Sequence, residues 1–272
     1  MPILLNTLVA HCDTVLQAAR FKDYCPNGLQ VEGAAHISRL ALAVTANQAA
    51  IDAAIAWGAQ ALLVHHGLMW KGEDGTVTGH RKTRLDAALK ADLNVLAYHL
   101  PLDAHTTLGN NAQLAQRLGL GQMQALDGEG ILVAGTLPAP LTIRDFAQVV
   151  STHLVRKALL IGDESKLLHR IAWCTGGGGS YFEAAIAAGV DAFLTGEASE
   201  QHVHIARECG VPLILAGHHA TERYGVQALG AALAAQLGVV GHDGLYRLPK
   251  VRAVVHDAQV AELVHHDVVN DG

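Results

Sequence analysis

An internal repeat constrains the fold of this chain more than any other feature of its sequence. Segment 53–66 reads AAIAWGAQALLVHH and segment 184–197 reads AAIAAGVDAFLTGE, so seven of the fourteen positions are identical at a constant offset of 131 residues. The runs on either side also correspond: LALAVTA with IAWCTGG before these segments, and VLAYH with ILAGH after them. A self-similar unit in this order predicts two copies of one structural module.

Within each copy, short apolar runs alternate with Ala-rich segments of helical character. In the first half this pattern predicts strands at 39–45, 61–64 and 94–98, and helices at 48–57, 81–91 and 109–118. Such an order predicts mainly parallel sheets with helices on their faces. We therefore predict an α/β fold with two similar domains, residues 1–125 and 126–250, followed by a tail at 251–272 without the pattern.

Composition excludes several classes of protein. The chain has 272 residues and a formal net charge of −6, which disfavours a protein that wraps nucleic acid phosphates. No run approaches 18 apolar residues, so no membrane span is predicted. The four cysteines are scattered without CxxC spacing, as is typical of reduced thiols in a cytoplasmic protein.

Histidines and carboxylates cluster at the predicted carboxyl ends of strands, where open α/β sheets bind their ligands. One strand ends in a His-His pair, and the third strand of each half ends in a histidine followed four residues later by an acid. Adjacent strand residues point to opposite sides, which suits two neighbouring ions better than one. We therefore predict a site for two divalent ions between the domains, with Zn, Mn, Fe, Co or Ni as alternatives. The histidines and acids at these strand ends are His65, His66, His99, Asp103, His105, His218, His219 and Glu222.

The alternative to metal binding is a structural role, in which each of these histidines caps a strand or makes a hydrogen bond. Two His-His pairs and two His-x-x-x-acid motifs lie at predicted strand ends in the repeated halves, which makes that interpretation poor. His105 alone fits a supporting or structural role better than a ligand.

Two further features carry open alternatives. The run Cys174-Thr-Gly-Gly-Gly-Gly-Ser180 lies between a predicted strand and a helix, where it could bind an anion through backbone N–H groups or simply form a tight turn. Glu197 takes the position of the His-His pair in the second copy, so it could approach the metals or the substrate, or serve as a structural carboxylate.

Seven motifs give the chain a family resemblance. They are DYCPNGLQVEG, VTANQAAIDAA, LLVHHGLMWKG, YHLPLDAHTTLGNN, AWCTGGGGSYFEAA, FLTGEASEQ and AGHHATERYG, and they span about residues 20 to 230. The sequence resembles the dinuclear-metal, hexameric proteins named after an NGG-interacting factor, also described as GTP cyclohydrolase I type 2-like. The resemblance implies two divalent ions per chain and a ring-shaped homo-hexamer. The metal ligands that it implies are His65, His66, Asp103, His218 and Glu222.

The resemblance and the residues together leave two main functions open. The first is a metal-dependent hydrolase for a small molecule, in the GTP cyclohydrolase-like case opening the imidazole ring of GTP and releasing formate, with His99 or Glu197 moving protons. The second is a non-catalytic hexameric scaffold that binds metal or partners. Nucleic acid binding in the cavity of the ring is a third, disfavoured by the negative charge.

Overall fold

The chain folds into strands and helices that alternate as predicted. The computed structural model describes residues 2–237, so the predicted tail at 251–272 lies outside the described residues. The first half contains β1 (Ile3–Leu4), α1 (Leu5–Leu16), β2 (Gly28–Val31), β3 (His36–Ile37), β4 (Leu40–Thr45), α2 (Gln48–Trp57), β5 (Ala61–His66), α3 (Gly79–Lys90), β6 (Asn94–Ala97), α4 (Leu100–Ala104) and α5 (Asn110–Leu118). The second half contains β7 (Gly121–Ala125), β8 (Val133–Thr142), α6 (Ile143–Leu154), β9 (Leu159–Ile161), β10 (Leu167–Cys174), α7 (Phe182–Ala187), β11 (Ala192–Thr195), α8 (Glu200–Cys209), β12 (Leu213–Leu215) and α9 (His218–Gln236).

The strands form two larger sheets and one short pair, β1 with β3. The first sheet has the order β2-β6-β5-β4, in which β4, β5 and β6 are parallel and β2 is antiparallel to β6. The second has the order β7-β8-β10-β11-β12-β9. The mixed α/β fold is therefore confirmed.

The prediction of mainly parallel sheets is wrong for the second sheet. Only β10, β11 and β12 are parallel there, whereas β7, β8 and β9 pair antiparallel with their neighbours. The physical reason is clearest for β7 and β8, because the connection between them is too short for the crossover that parallel strands need.

The two copies of the internal repeat have the same order of strands in their sheets. Each larger sheet contains three parallel strands in chain order, with an antiparallel strand beside the third: β4, β5, β6 with β2, and β10, β11, β12 with β9. The bounds of the two predicted domains stay a prediction, since α9 from the second half packs on the first sheet.

The first sheet is buried on both faces, which explains its nearly continuous apolar strands. One face packs against α2 and α3, and the other against α1 and α9. Helix α9 contributes Val226, Leu229 and Leu233 to this second core. A Cβ atom at Gly230 would lie 2.3 Å from Leu42 Cδ1, so the missing side chain allows the close approach of α9 to β4. This packing brings the start of α9 to the strand ends of the first sheet.

No helix within residues 2–237 is long and apolar enough to cross a membrane.

Candidate metal centre

The strand end of β5 carries the first two candidate ligands. His65 is completely buried, and its Nδ1 lies 3.0 Å from the carbonyl oxygen of Tyr98. The Nδ1 atom of His66 lies 3.0 Å from Thr45 Oγ1 on the neighbouring strand β4. Both rings therefore use Nδ1 for contacts with the sheet, and this leaves Nε2 to face other groups.

Two helices supply the other candidates through spacings of four residues, which place two side chains on one helix face. His99 caps α4 and Asp103 lies four residues later, whereas His218 begins α9 and Glu222 follows at the same interval. The sequence pattern predicted His218 at a strand end. Strand β12 in fact ends at Leu215, and the i,i+4 relation depends on His218 being helical.

All five candidate ligands lie together, and Glu222 is at their centre. Its Oε1 lies 3.5 Å from His65 Nε2 and 3.2 Å from His218 Nε2, and its Oε2 lies 3.3 Å from His66 Nε2. Asp103 Oδ1 lies 3.5 Å from His65 Nε2. The donor atoms form two groups that could each hold a metal ion and that share Glu222: His65 with Asp103, and His66 with His218.

The polarity of this cluster fits a cation. Glu222 is almost completely buried, and Glu222 Oε2 and His65 Nε2 have no hydrogen-bond partner among residues 2–237. Burying such atoms without a partner is costly, and a bound cation would satisfy both. Imidazole nitrogens with carboxylate oxygens suit divalent transition metals, so these residues fit the ions that the resemblance implies.

Supporting hydrogen bonds hold the Asp103 carboxylate in place. Asn110 Nδ2 donates to Asp103 Oδ1 over 2.8 Å, and Thr175 Oγ1 donates to the same oxygen over 3.3 Å. Thr175 comes from the second half of the chain, directly before the glycine run. Asn110 Oδ1 in turn accepts from the N–H of Gly225 in α9. Both halves thus orient one candidate ligand, as is common around metal sites.

The glycine run at 176–179 forms a packed turn against the centre. Gly176 has φ +66°, and a Cβ atom there would lie 1.9 Å from Glu222 Oε1. The N–H of Gly176 donates to Thr221 Oγ1, and that of Gly178 donates to Thr195 Oγ1. Two N–H groups of the run thus donate to threonine side chains of the protein, which favours a tight turn over an anion-binding loop. Its glycines let the backbone approach the carboxylate.

His99, predicted to move protons, lies at the edge of the centre. Its ring centroid is 5.0 Å from that of His65 and 5.7 Å from that of His66. Its Nδ1 lies 2.7 Å from Oδ1 of the buried Asp23. Burial opposes ionisation of Asp23, but hydrogen bonds from His99 and Asn27 hold the pKa of this carboxyl down to about 2.

Asp23 is a site residue that the sequence analysis missed. Besides His99, it accepts hydrogen bonds from Asn27 Nδ2 and from the N–H of Leu100, both through Oδ2. The signal was present in the turn DYCPNG, whose Asp and Asn are typical of residues that bind neighbouring backbone. The turn also places Cys25 with Asp23 and His99 in a further group that could hold a metal ion, so a thiol does lie near the centre.

Glu197 and His105 support other groups. Glu197 Oε1 lies 3.0 Å from His218 Nδ1, the nitrogen that faces away from Glu222, so the carboxylate orients a candidate ligand. His105 Nδ1 accepts from the N–H groups of Thr107 and Leu108 and belongs to none of the groups within residues 2–237 that could hold a metal.

Without cations, protons balance the buried carboxylates. Burial disfavours the charged form of His65, but Asp103 and Glu222 outweigh this effect and raise its pKa to about 9. Burial likewise opposes charge on His218, and its contacts with Glu222 and Glu197 raise its pKa to about 9. The metal-free centre therefore holds positive charge at neutral pH that a metal ion would replace.

These two shifts predict how the stability of the metal-free protein depends on pH. In the folded state, the pKa values of His65 and His218 both lie above the ordinary value of 6.5. The two protonated imidazoles therefore stabilise the folded state fully below about pH 6.5, and this stabilisation is lost as pH rises through about 9. We expect the urea midpoint of the chelated protein to fall between pH 7 and pH 10. The metal-loaded protein is the control, and its urea midpoint should fall less over the same pH range. An unchanged midpoint for the chelated protein would contradict the proton assignment.

Comparison with known proteins decides the family. The model of Duf34/NIF3 (NGG1p interacting factor 3) matches residues 3–242. The chain belongs to the Duf34/NIF3 family. Among curated relatives of this NIF3 chain, a Pseudomonas aeruginosa protein named GTP cyclohydrolase 1 type 2 homolog is 52% identical over 242 residues, which cover 88% of this chain and 96% of the relative. An Escherichia coli protein of the same name is 47% identical over 215 residues, or 79% and 86% of the two chains.

Solved structures share the fold of this chain. A protein described as ybgI, of unknown function, superposes on the NIF3 chain with a TM-score of 0.81 at 44% sequence identity, covering 85% of this chain and 93% of the other. TTHA1606 from Thermus thermophilus gives a TM-score of 0.78 at 30% identity, covering 89% and 100%.

Proposed function

We propose that this protein is a divalent-metal-dependent hydrolase with a dinuclear centre. The observation that carries the proposal is that two donor groups share the buried Glu222. One group is completed by His65 and Asp103, the other by His66 and His218. A carboxylate with two oxygens is suited to bridge two cations. Two divalent ions at such a centre would polarise an electrophile and lower the pKa of a bound water.

The residues around the donor groups have distinct tasks in this proposal. Asp23 holds Nδ1 of His99, so that the other ring nitrogen is left to exchange a proton beside His65 and His66. Glu197 contacts Nδ1 of His218 and acts by orienting this imidazole. The hydrogen bond from Asn110 keeps the Asp103 carboxylate oriented towards the centre.

The names of the curated relatives support GTP as the first substrate to test. The reaction would be a GTP cyclohydrolase-like opening of the imidazole ring with release of formate. We expect purified protein loaded separately with Zn, Mn, Fe, Co or Ni to release formate from GTP with at least one metal. Phosphodiesters and small amides serve as comparison substrates. Turnover of none of these with any metal would overturn the hydrolase and leave the metal-binding scaffold as the function.

Replacement of Asp23 tests the role of His99. Asp23→Asn keeps the shape of the side chain but removes the charge that orients the imidazole, so we expect kcat to fall by about 100-fold, at the lower end of the range of general acid–base effects. The two ions proposed at Glu222 should be retained, because Asp23 belongs to neither of the two groups that share Glu222. Wild-type kcat in Asp23→Asn would exclude this role for the pair.

We also infer a homo-hexamer and a cytoplasmic location. The hexamer rests on the family resemblance, and the location on the four cysteines, all of which are free thiols. Light scattering at micromolar concentration should give six times the mass of the chain; a monomer at that concentration would contradict the assembly. A nucleic acid partner is disfavoured by the net charge of −6.

A further inference from the structure

Two aromatic side chains lie beside the metal centre, and we call them the aromatic rim: Tyr24 and Trp70. The Trp70 ring centroid lies 5.1 Å from that of His99 and 5.8 Å from that of His66. The Tyr24 ring centroid lies 6.4 Å from that of His99. Aromatic residues make up only 4% of the chain, so two of them around one imidazole of the centre need an explanation.

Core packing does not supply that explanation. Trp57 and Trp173 belong to the hydrophobic clusters formed by the described residues, whereas neither residue of the aromatic rim does. The Tyr24 residue is 64% exposed, and Trp70 is half-buried. Large apolar rings that contact imidazoles instead of the core retain surface for a ligand.

Backbone contacts fix the aromatic rim in place. The N–H of Lys71 donates to the carbonyl oxygen of Tyr24 over 2.6 Å, which joins the chain segments that carry the two rings. Asp23, the neighbour of Tyr24, holds Nδ1 of His99 at 2.7 Å. The two segments that carry the rings are therefore held beside the same imidazole, and a preorganised surface loses little entropy when it binds.

We propose that the aromatic rim binds a planar heteroaromatic ring and makes compounds with such rings the substrate class of the metal centre. Stacking on an aromatic side chain favours planar rings over aliphatic or peptide groups and tolerates differences between bases. Whether a bound compound is then hydrolysed rests on the proposed function, but the binding itself does not.

The experiment measures the affinity of metal-loaded protein for guanosine, adenosine and uridine by calorimetry, with ribose as a probe that lacks the heteroaromatic ring. We expect Trp70→Ala and Tyr24→Ala each to weaken nucleoside binding by about 10-fold, within the range known for single stacked bases. Trp70→Phe should keep most of the affinity. Val77→Ala, an exposed apolar residue in the segment after Trp70, is the matched control and should bind like wild type.

Three results would overturn the aromatic rim as a binding surface. One is that no nucleoside binds wild-type protein more tightly than ribose does. Another is that Trp70→Ala and Tyr24→Ala bind nucleosides as wild type does. The third is that Trp70→Ala loses metal, which would make the indole a support for His66 and His99. Ring-dependent binding without turnover would support the aromatic rim and overturn only the hydrolase.

Discussion

Replacement of Glu222 by alanine is expected to reduce metal content from two ions per chain to less than one. Glu222 contacts His65, His66 and His218 within 3.5 Å, so both donor groups lose their shared member at once. Elemental analysis after reconstitution and desalting measures the stoichiometry. Because a bound metal stabilises the folded state, chelation should lower the Tm of wild-type protein and leave the Tm of Glu222→Ala nearly unchanged.

Glu197→Gln is the matched control for this variant. Glu197 contacts the same His218 through Nδ1, but it belongs to neither of the groups that share Glu222. We expect Glu197→Gln to keep both ions with weaker affinity for one, in line with the effect of residues that orient ligands. Retention of two tightly bound ions by Glu222→Ala would refute the bridging role.

The second large effect is expected from Gly176→Ala. The added Cβ would lie 1.9 Å from Glu222 Oε1 and 2.9 Å from His218 Nε2, and the backbone φ of +66° disfavours any side chain by about 1 kcal/mol or more. The carboxylate must therefore move away from its present position. We expect at least a 10-fold loss of metal affinity, about 1.4 kcal/mol, together with a lower Tm.

The neighbouring glycine provides the control. A Cβ atom at Gly177 would meet Glu197 Oε1 and His218 Cε1 at 3.5 Å, which is ordinary contact, and φ there is −82°. Gly177→Ala should therefore bind metal like the wild-type protein. Equal effects of the two substitutions would show that the run needs glycine for chain flexibility and not for its approach to Glu222.

Much of the fold was predictable because its signals are local. The predicted helix at 48–57 matches α2 residue for residue, and the strands at 39–45 and 61–64 match β4 and β5 within two residues at each end. In each of these elements the pattern of apolar residues along the segment is enough to predict a helix or a strand. The repeat pairs His99 and Asp103 with His218 and Glu222, whereas His65 and His66 have no histidine at the equivalent positions 196 and 197. The set of five candidate ligands came from the family motifs.

The features that were missed depend on contacts between distant parts of the chain. The local sequences of the antiparallel strands β7, β8 and β9 do not indicate which strands they pair with in the second sheet. Asp23 lies 76 residues from His99 in sequence, so their hydrogen bond could not be read from spacing. The position of α9 against β4 depends on the absence of a side chain at Gly230, which a helical pattern alone does not reveal.

The central claim, a pair of ions bridged by Glu222, is tested most directly by anomalous diffraction from crystals of the metal-loaded protein. We predict two anomalous peaks about 3.5–4 Å apart, one between His65 and Asp103 and the other between His66 and His218, with the Glu222 carboxylate contacting both. A single peak, or two peaks of which only one adjoins Glu222, would contradict the account.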